Sequence, residues 1–114
     1  MNGKTAVVTG GSRGIGRSIS ENLAREGYNV VINYRSSEQN AYELKERLLS
    51  EGFSADIFRA DVSVASEAES LIEYAKSRFG GLDVLVNNAG IAEIKLFTDI
   101  TDEDWDKMIR TNLN

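Results

Sequence analysis

The sequence predicts an α/β domain in which helices pack on both faces of a parallel, doubly wound sheet. Two observations predict this class. Short apolar, β-branched runs alternate with helical patterns in the order β-α-β-α-β-α-β-α, and the links between them are short. No repeat, linker or low-complexity stretch interrupts the alternation. We expect residues 1–114 to form a single domain, and an incomplete one, because the last helical pattern has no stop signal.

The composition narrows the function classes. Apolar residues make up 41% of the 114 residues, charged residues 27%, and the formal net charge is −5. This acidic balance argues against nucleic acid or an anionic membrane surface as a partner. The absence of cysteine and histidine removes thiolate chemistry and the most common metal ligand, so we expect no metal site. No membrane-spanning run or signal-peptide core is present, and a cytoplasmic location is the simplest expectation.

The first two strands flank a helix with a clear apolar period. The run KTAVVT at 4–9 predicts a buried strand, and NVVIN at 29–33 predicts the second. Between them, three apolar residues recur at every fourth position: Ile15, Ile19 and Leu23. This period predicts a helix over 14–26, which Gly27 would end.

The second half of the chain repeats the pattern. A weaker strand at 54–60 follows a helix that stops near Gly52. A fourth strand at 82–87 follows a helix that ends at Gly80-Gly81. The apolar helix positions are Ala41, Leu44 and Leu48 in the second helix and Val64, Ala68, Leu71 and Ala75 in the third. A fourth helix is predicted from Trp105, Met108, Ile109 and Leu113.

The loop TGGSRGIGRS, residues 9–18, joins the first strand to the first helix and has three interpretations. In a P-loop, Gly11 and Gly16 would fit the pattern G-x-x-x-x-G-K-[ST], but Arg17 stands where a lysine is needed. In a dinucleotide loop, glycines let the backbone approach a pyrophosphate at the helix N-terminus, although the spacing here is T-G-x-x-x-G-x-G. The third interpretation is a glycine-rich turn that binds nothing.

Four motifs in order favour the dinucleotide loop. They are TGxxxGxG at 9–16, a DV pair at 61–62, NNAG at 87–90, and Asn112 in the predicted fourth helix. Together they resemble the short-chain dehydrogenase/reductase family along the whole chain. Within that family, KTAVVTGGSRGIGRSI and GGLDVLVNNAGI look most like bacterial 3-oxoacyl-acyl-carrier-protein reductases. The resemblance implies a Rossmann-type sheet, truncated to about four strands in the order 3-2-1-4.

The resemblance also implies a nicotinamide cofactor site at the carboxyl ends of the strands. In this family, the first loop binds the adenosine ribose and the pyrophosphate. Asp61 and Val62 would contact the adenine, and the NNAG turn would contact the ribose on the nicotinamide side. The cofactor-binding residues are then Gly10, Ser12, Arg13, Gly14, Ile15, Gly16, Tyr34, Arg35, Ser36, Asp61, Val62, Asn87, Ala89 and Gly90. Asn87 and Asn88 are also the kind of pair that stabilises a turn.

The end of the second strand predicts NADP(H) rather than NAD(H). In NAD sites, an acid at this position holds the free 2′-hydroxyl of the adenosine ribose. The stretch INYRSS has no acid at Asn33 or Tyr34, and Arg35 follows them. Together with Arg13 of the first loop, Arg35 can bind a 2′-phosphate through charge-assisted hydrogen bonds. The alternative is that Arg35 is only a solvated loop charge.

The family's reaction uses a serine, a tyrosine, a lysine four residues after that tyrosine, and an asparagine. Only the asparagine has a match, Asn112, and none of the 4 tyrosines is followed by such a lysine. We expect an oxidoreductase that reduces a carbonyl, such as a 3-oxoacyl thioester, in a longer parent protein. This chain alone is expected to be catalytically incompetent. The alternative is a non-catalytic nucleotide-binding module or a structural fragment.

The predicted strand order also bears on partners. Strand 82–87 would be an exposed edge, and an unpaired apolar edge recruits another chain. We therefore expect self-association through this edge or through the Trp105 helix, and no nucleic-acid or membrane partner.

Overall fold

A computed structural model describes residues 3–87 and the backbone of residues 93–96. In chain order the elements are β1 (Thr5–Thr9), α1 (Gly14–Arg25), β2 (Asn29–Tyr34), α2 (Glu38–Ser50), β3 (Ala55–Arg59), α3 (Ala65–Phe79), β4 (Val84–Asn87) and β5 (Glu93–Leu96). The strands form one sheet in the order β3-β2-β1-β4-β5. The predicted parallel order 3-2-1-4 is confirmed, and each described helix lies within two or three residues of its predicted limits.

The central strands are buried because they are covered on both faces. All five residues of β1 are buried, and β1 pairs in parallel with β2 and β4. Val7, for example, lies opposite Val31 on one side and Leu85 on the other. A parallel strand with helices on both faces has no solvent face, so its sequence reads as a continuous apolar run.

Two apolar clusters hold the helices on opposite faces of the sheet. Val8 and Ile32 belong to the cluster that includes Leu44 of α2 and residues of α1. Val7 belongs to the other cluster, together with Leu71 of α3. Because successive residues of a strand point to opposite faces, the two helix layers follow directly from the β1 and β2 sequences.

The described sheet has β3 at one edge, where a buried carboxylate joins both helix layers. Asp56 Oδ1 lies 3.1 Å from Lys45 Nζ of α2, and Asp56 Oδ2 lies 3.4 Å from Arg78 Nε of α3. The Tyr74 hydroxyl also donates to this carboxylate. Burial opposes ionisation of Asp56, but the hydrogen bonds from Tyr74, the Ile57 N–H and Lys45 outweigh it and lower the pKa.

The fifth strand corrects one prediction. β5 pairs antiparallel with β4, with Val86 opposite Ile94 and Asn87 opposite Glu93. Strand 82–87 is therefore not an edge, and the expectation that it is exposed was wrong. The sequence EIKL of β5 alternates charged and apolar residues, as is typical of an antiparallel strand.

Two further expectations fall outside the described residues. The predicted fourth helix, including Trp105 and Asn112, lies there, and so do Ala89 and Gly90. Self-association stays a prediction, but it no longer has an exposed β4 as its reason. Among the helices that the structure describes, none has the length and apolarity needed to cross a bilayer.

Candidate functional site

The predicted site residues that the structure describes lie at one edge of the sheet. Thr9, Tyr34, Arg59 and Asn87 are the last residues of β1, β2, β3 and β4, and these four strands are parallel. The loops that follow them therefore leave from the same edge. In open α/β sheets this edge, at the point where the strand order reverses, is where ligands bind. Here the order reverses between β1 and β4.

The loop after β1 needs glycine at two positions. Gly10 has φ 61° and Gly14 has φ 57°, a left-handed conformation that side chains disfavour. Gly10 turns the chain out of the sheet, and Gly14 begins α1. Together they allow the loop to pass closely over the strand ends before the helix starts.

Gly11 is needed for a different reason, which is close packing. A Cβ at this position would lie 2.8 Å from Ser20 Oγ and 2.9 Å from the Val8 carbonyl oxygen. The Ser20 hydroxyl, fully buried in α1, lies 3.2 Å from the Gly11 carbonyl oxygen and 2.9 Å from that of Gly16. The loop is thus packed against its own helix, with no room for a side chain.

The N-terminus of α1 is open toward the site. Arg13 is the N-cap residue, its side chain makes no capping hydrogen bond, and the first turn carries no acidic residue. Arg13 and Gly14 are exposed, and Ile15 is 67% exposed, whereas Ser12 and Gly16 are buried. The first-turn amides and the helix dipole therefore face a position that suits an anion such as a pyrophosphate.

The end of β2 separates buried from exposed site residues. The Tyr34 side chain is buried in the cluster beneath α1 and α2, so it shapes the site from below. Arg35 and Ser36 follow it and are exposed at the rim. Asn33 is buried as well, and its side chain contacts the loop after β1 through the Gly10 N–H.

Asp61 is held as a carboxylate beside Arg35. Its Oδ1 accepts hydrogen bonds from Ser63, 2.6 Å from the hydroxyl and 3.0 Å from the main-chain nitrogen. These two bonds, and the charge of Arg35, lower the pKa of Asp61. Its main-chain N–H donates to Glu67 Oε1 of α3 over 3.0 Å. The turn that carries Asp61 is therefore ordered, and the next residue, Val62, is buried against α3.

The ends of β1 and β4 are joined by a hydroxyl. Thr9 Oγ1 lies 3.2 Å from the Val86 carbonyl oxygen and 3.3 Å from Asn87 Oδ1. Asn87 is 9% exposed, and this contact ties it to β1. Its role in stabilising the turn stays a prediction. Its predicted contact with the second ribose would involve the NNAG turn, of which the structure describes only this first residue.

Three residues that shape the site were not predicted as parts of it: Gly11, Ser20 and Asn33. The sequence could have indicated Ser20, because a serine on the buried side of a helix, four residues after Gly16, has a hydroxyl that needs a hydrogen-bond partner. It could also have indicated Asn33, as a polar residue inside a buried strand. Gly11 had no signal that distinguishes it from the neighbouring glycines. Among the described residues, no group of three or more acidic, histidine or cysteine side chains could hold a metal ion.

The comparisons with known proteins agree with this geometry. The family model for short chain dehydrogenase matches residues 4–114. The 3-oxoacyl-[acyl-carrier-protein] reductase FabG of Staphylococcus aureus is 46% identical over 110 residues, covering 96% of this chain and 45% of that protein. The chain thus spans less than half the length of this relative.

Two solved structures have the same fold. A dehydrogenase/reductase from Sinorhizobium meliloti 1021 superposes with a TM-score of 0.76 at 39% identity, covering 94% of this chain and 42% of the other. A blue fluorescent protein from a metagenomic library, in complex with NADPH, superposes with a TM-score of 0.76 at 36% identity, covering 98% of this chain and 45% of the other.

Proposed function

This chain belongs to the short-chain dehydrogenase family, and from that premise we propose that it holds the adenosine half of an NADP(H) site in an oxidoreductase. The observation that carries the proposal is the rim formed at the strand ends by the exposed Arg35, the exposed Arg13 and the open N-terminus of α1. These groups suit a nucleotide with both a pyrophosphate and a 2′-phosphate.

The preference for NADP(H) follows from the charges at the end of β2. An acid there would accept a hydrogen bond from a ribose 2′-hydroxyl and repel a 2′-phosphate. In this chain Tyr34 is buried in the core and Arg35 is the exposed side chain that follows it. A guanidinium offers two parallel donors to phosphate oxygens. The relative solved with NADPH supports the same preference.

Each part of the nucleotide has a candidate partner. The amides of the first turn of α1 would hold the pyrophosphate, with Ile15 against the nucleotide surface. The Asp61 carboxylate would accept from the adenine amine through an oxygen not used by Ser63. When bound, the cofactor supplies the hydride of the reaction. The residues described here bind and orient it.

The reaction that we propose for the whole protein is carbonyl reduction. The name of the Staphylococcus aureus relative makes a 3-oxoacyl thioester our proposed substrate. Asn112 would belong to the proton relay. The sequence has no tyrosine followed four residues later by lysine, the pair that would donate the proton, so we expect no turnover from these 114 residues alone. The cytoplasmic location stays a prediction.

Parallel titration of the chain with NADPH and NADH tests the cofactor proposal. Saturable binding of NADPH, and weaker binding of NADH, is the expected result. Binding of NADH as tight as that of NADPH would contradict the preference. Binding of neither would favour the alternative, a fragment whose role is structural. A size measurement at high concentration, made on the same sample, tests the predicted self-association independently.

A further inference from the structure

Asn33 joins three strand ends beneath the candidate site. Its side chain is buried, with 2% exposure, at the second-to-last position of β2. The carboxamide oxygen accepts from the Gly10 N–H over 3.2 Å. The carboxamide nitrogen lies 3.2 Å from the Phe58 carbonyl oxygen and 3.1 Å from that of Ala60. One side chain therefore connects the loop after β1 to the end of β3.

The chemistry of these contacts requires a carboxamide. The group faces an N–H with its oxygen and three carbonyl oxygens with its NH2, the third being that of Tyr34 at 3.4 Å, so acceptor and donors are all used. A leucine of similar volume would remove the bonds to the partly buried Gly10 N–H and to the buried Ala60 carbonyl oxygen. An aspartate would turn a negative oxygen toward the β3 carbonyls. Buried polar groups that lose their partner are unfavourable, so the position specifies asparagine.

The main chain of Asn33 holds the next residue of the loop. Its carbonyl oxygen accepts from the Gly11 N–H over 2.9 Å. The last pair of the β1–β2 ladder is Val8 with Ile32, so these bonds continue beyond the end of the ladder. Two consecutive loop amides are thus bound to one residue. The loop is held in place without any ligand, and preorganisation of this kind lowers the cost of binding.

We infer that Asn33 is a positioning residue for the nucleotide, which holds the loop 10–16 in place relative to the Arg35 and Asp61 rim before the nucleotide binds. The inference rests on the proposed function. Asn33 is buried and contacts the loop, whereas Arg35 is exposed and carries the charge that discriminates between the two cofactors. Loss of the Asn33 carboxamide should therefore weaken NADPH and NADH by a similar factor and leave their ratio unchanged.

The test compares two variants with two controls in the 114-residue chain. Asn33→Leu removes every side-chain hydrogen bond, and Asn33→Thr is milder, since its shorter hydroxyl cannot reach both Gly10 and β3. Asn29→Leu is the matched control, because Asn29 begins the same strand at the opposite edge and its amide contacts Thr5 Oγ1 at 3.4 Å. Ile32→Val controls for a small loss of core packing next to the site.

Two readouts are needed. Hydrogen exchange at the Gly10 and Gly11 amides, measured without nucleotide, reports how often the loop opens. Titration with NADPH and NADH reports binding. We expect both Asn33 variants to exchange about tenfold faster at these amides and to bind both nucleotides about tenfold more weakly. This factor corresponds to the loss of the one hydrogen bond that the side chain makes to the loop, at Gly10. The controls should change neither quantity beyond their effect on global stability.

The outcomes separate the two proposals. Unchanged exchange at Gly10 and Gly11 would overturn the positioning role, and so would faster exchange with unchanged affinities. A changed NADPH-to-NADH ratio would show that Asn33 acts on the 2′-phosphate rather than on the loop, and would also overturn it. If the unmodified chain binds neither nucleotide, the cofactor proposal fails for this chain. The role of Asn33 in positioning the loop for a nucleotide then fails with it. The exchange data still show whether Asn33 holds the loop. If Asn33→Leu does not fold, Asn33→Thr decides.

Discussion

The Ser20 hydroxyl lies directly against Gly11, with Oγ 3.2 Å from the Gly11 carbonyl oxygen. A Cβ added to Gly11 would approach the same Oγ to 2.8 Å. Helix α1 and the loop that precedes it are therefore so close at Gly11 that no side chain larger than a hydrogen atom fits between them. This contact sets how closely the loop lies over the sheet, and thus where the first-turn amides of α1 point.

Substituting Gly11 should lower the stability of the fold. We expect Gly11→Ala to lower the free energy of unfolding by about 1–3 kcal/mol, because the methyl group has no space. The Gly81→Ala variant is a matched control, since a Cβ there meets nothing within 4 Å. It should change the free energy of unfolding by no more than about 0.5 kcal/mol. Denaturant titration measures both values.

A double variant sharpens this prediction. Adding Ser20→Ala to Gly11→Ala removes the clash with Oγ, but the Val8 carbonyl oxygen at 2.9 Å remains. Only part of the lost stability should return. Full recovery, or a Gly11→Ala variant as stable as Gly81→Ala, would show that the close packing has no energetic weight.

Arg35 should control the choice of cofactor. Arg35→Asp removes a phosphate donor and adds a charge that repels a 2′-phosphate. We expect the NADPH-to-NADH affinity ratio to fall by about 10- to 100-fold, since a hydrogen bond to a charged group contributes about 1.5–3 kcal/mol. Arg25→Asp makes the same charge change at the exposed end of α1, away from the strand ends. A ratio that Arg35→Asp leaves unchanged, or that Arg25→Asp changes equally, would contradict the role of Arg35.

Asp56 should make stability depend on acid pH. The pKa of Asp56 is lowered in the folded state, so ionised Asp56 stabilises the fold at pH values above the ordinary pKa of an aspartate. This contribution is lost as the pH falls below about 4. We expect Asp56→Asn to be less stable than the unmodified chain at pH 7 and to lose less stability on acidification. Melting temperatures from pH 7 down to about pH 2.5 measure this.

The control for Asp56 is Glu69→Gln, which removes an exposed carboxylate from α3. Its acid profile should follow that of the unmodified chain. If the Asp56→Asn variant shows the same acid dependence as the unmodified chain, the contacts from Lys45, Tyr74 and Arg78 do not stabilise the β3 edge through the charge of Asp56.

The fold was largely predictable because local periods determine it. Ile15, Ile19 and Leu23 recur at helical spacing, and α1 forms over them, but Ile15 is exposed and the buried residues of α1 are Gly16, Ser20 and Ala24. The strand β3 had a weaker signal because it lies at an edge, where Ile57 and Phe58 are only half-buried. The strand β5 was missed because its four residues alternate too briefly to be distinguished from a loop.

The site was predictable only in part, because its contacts join distant parts of the chain. Glycines and the exposed Arg35 could be placed from motifs at strand ends. The role of Asn33 could not, since its partners Gly10 and Ala60 lie 23 and 27 positions away in the sequence. The hydrogen bond between Asp61 and Ser63 is local to one turn. The nearby charge of Arg35 comes from another loop, so the sequence around Asp61 does not indicate it.

The central claim is that this chain holds the 2′-phosphorylated adenosine half of NADP(H). The most direct measurement is a parallel calorimetric titration with adenosine 2′,5′-bisphosphate and adenosine 5′-monophosphate, which differ only in the 2′-phosphate and need no nicotinamide site. We predict saturable binding of the bisphosphate, at least about tenfold tighter than that of the monophosphate. Equal affinities, or no binding of either nucleotide, would contradict the claim.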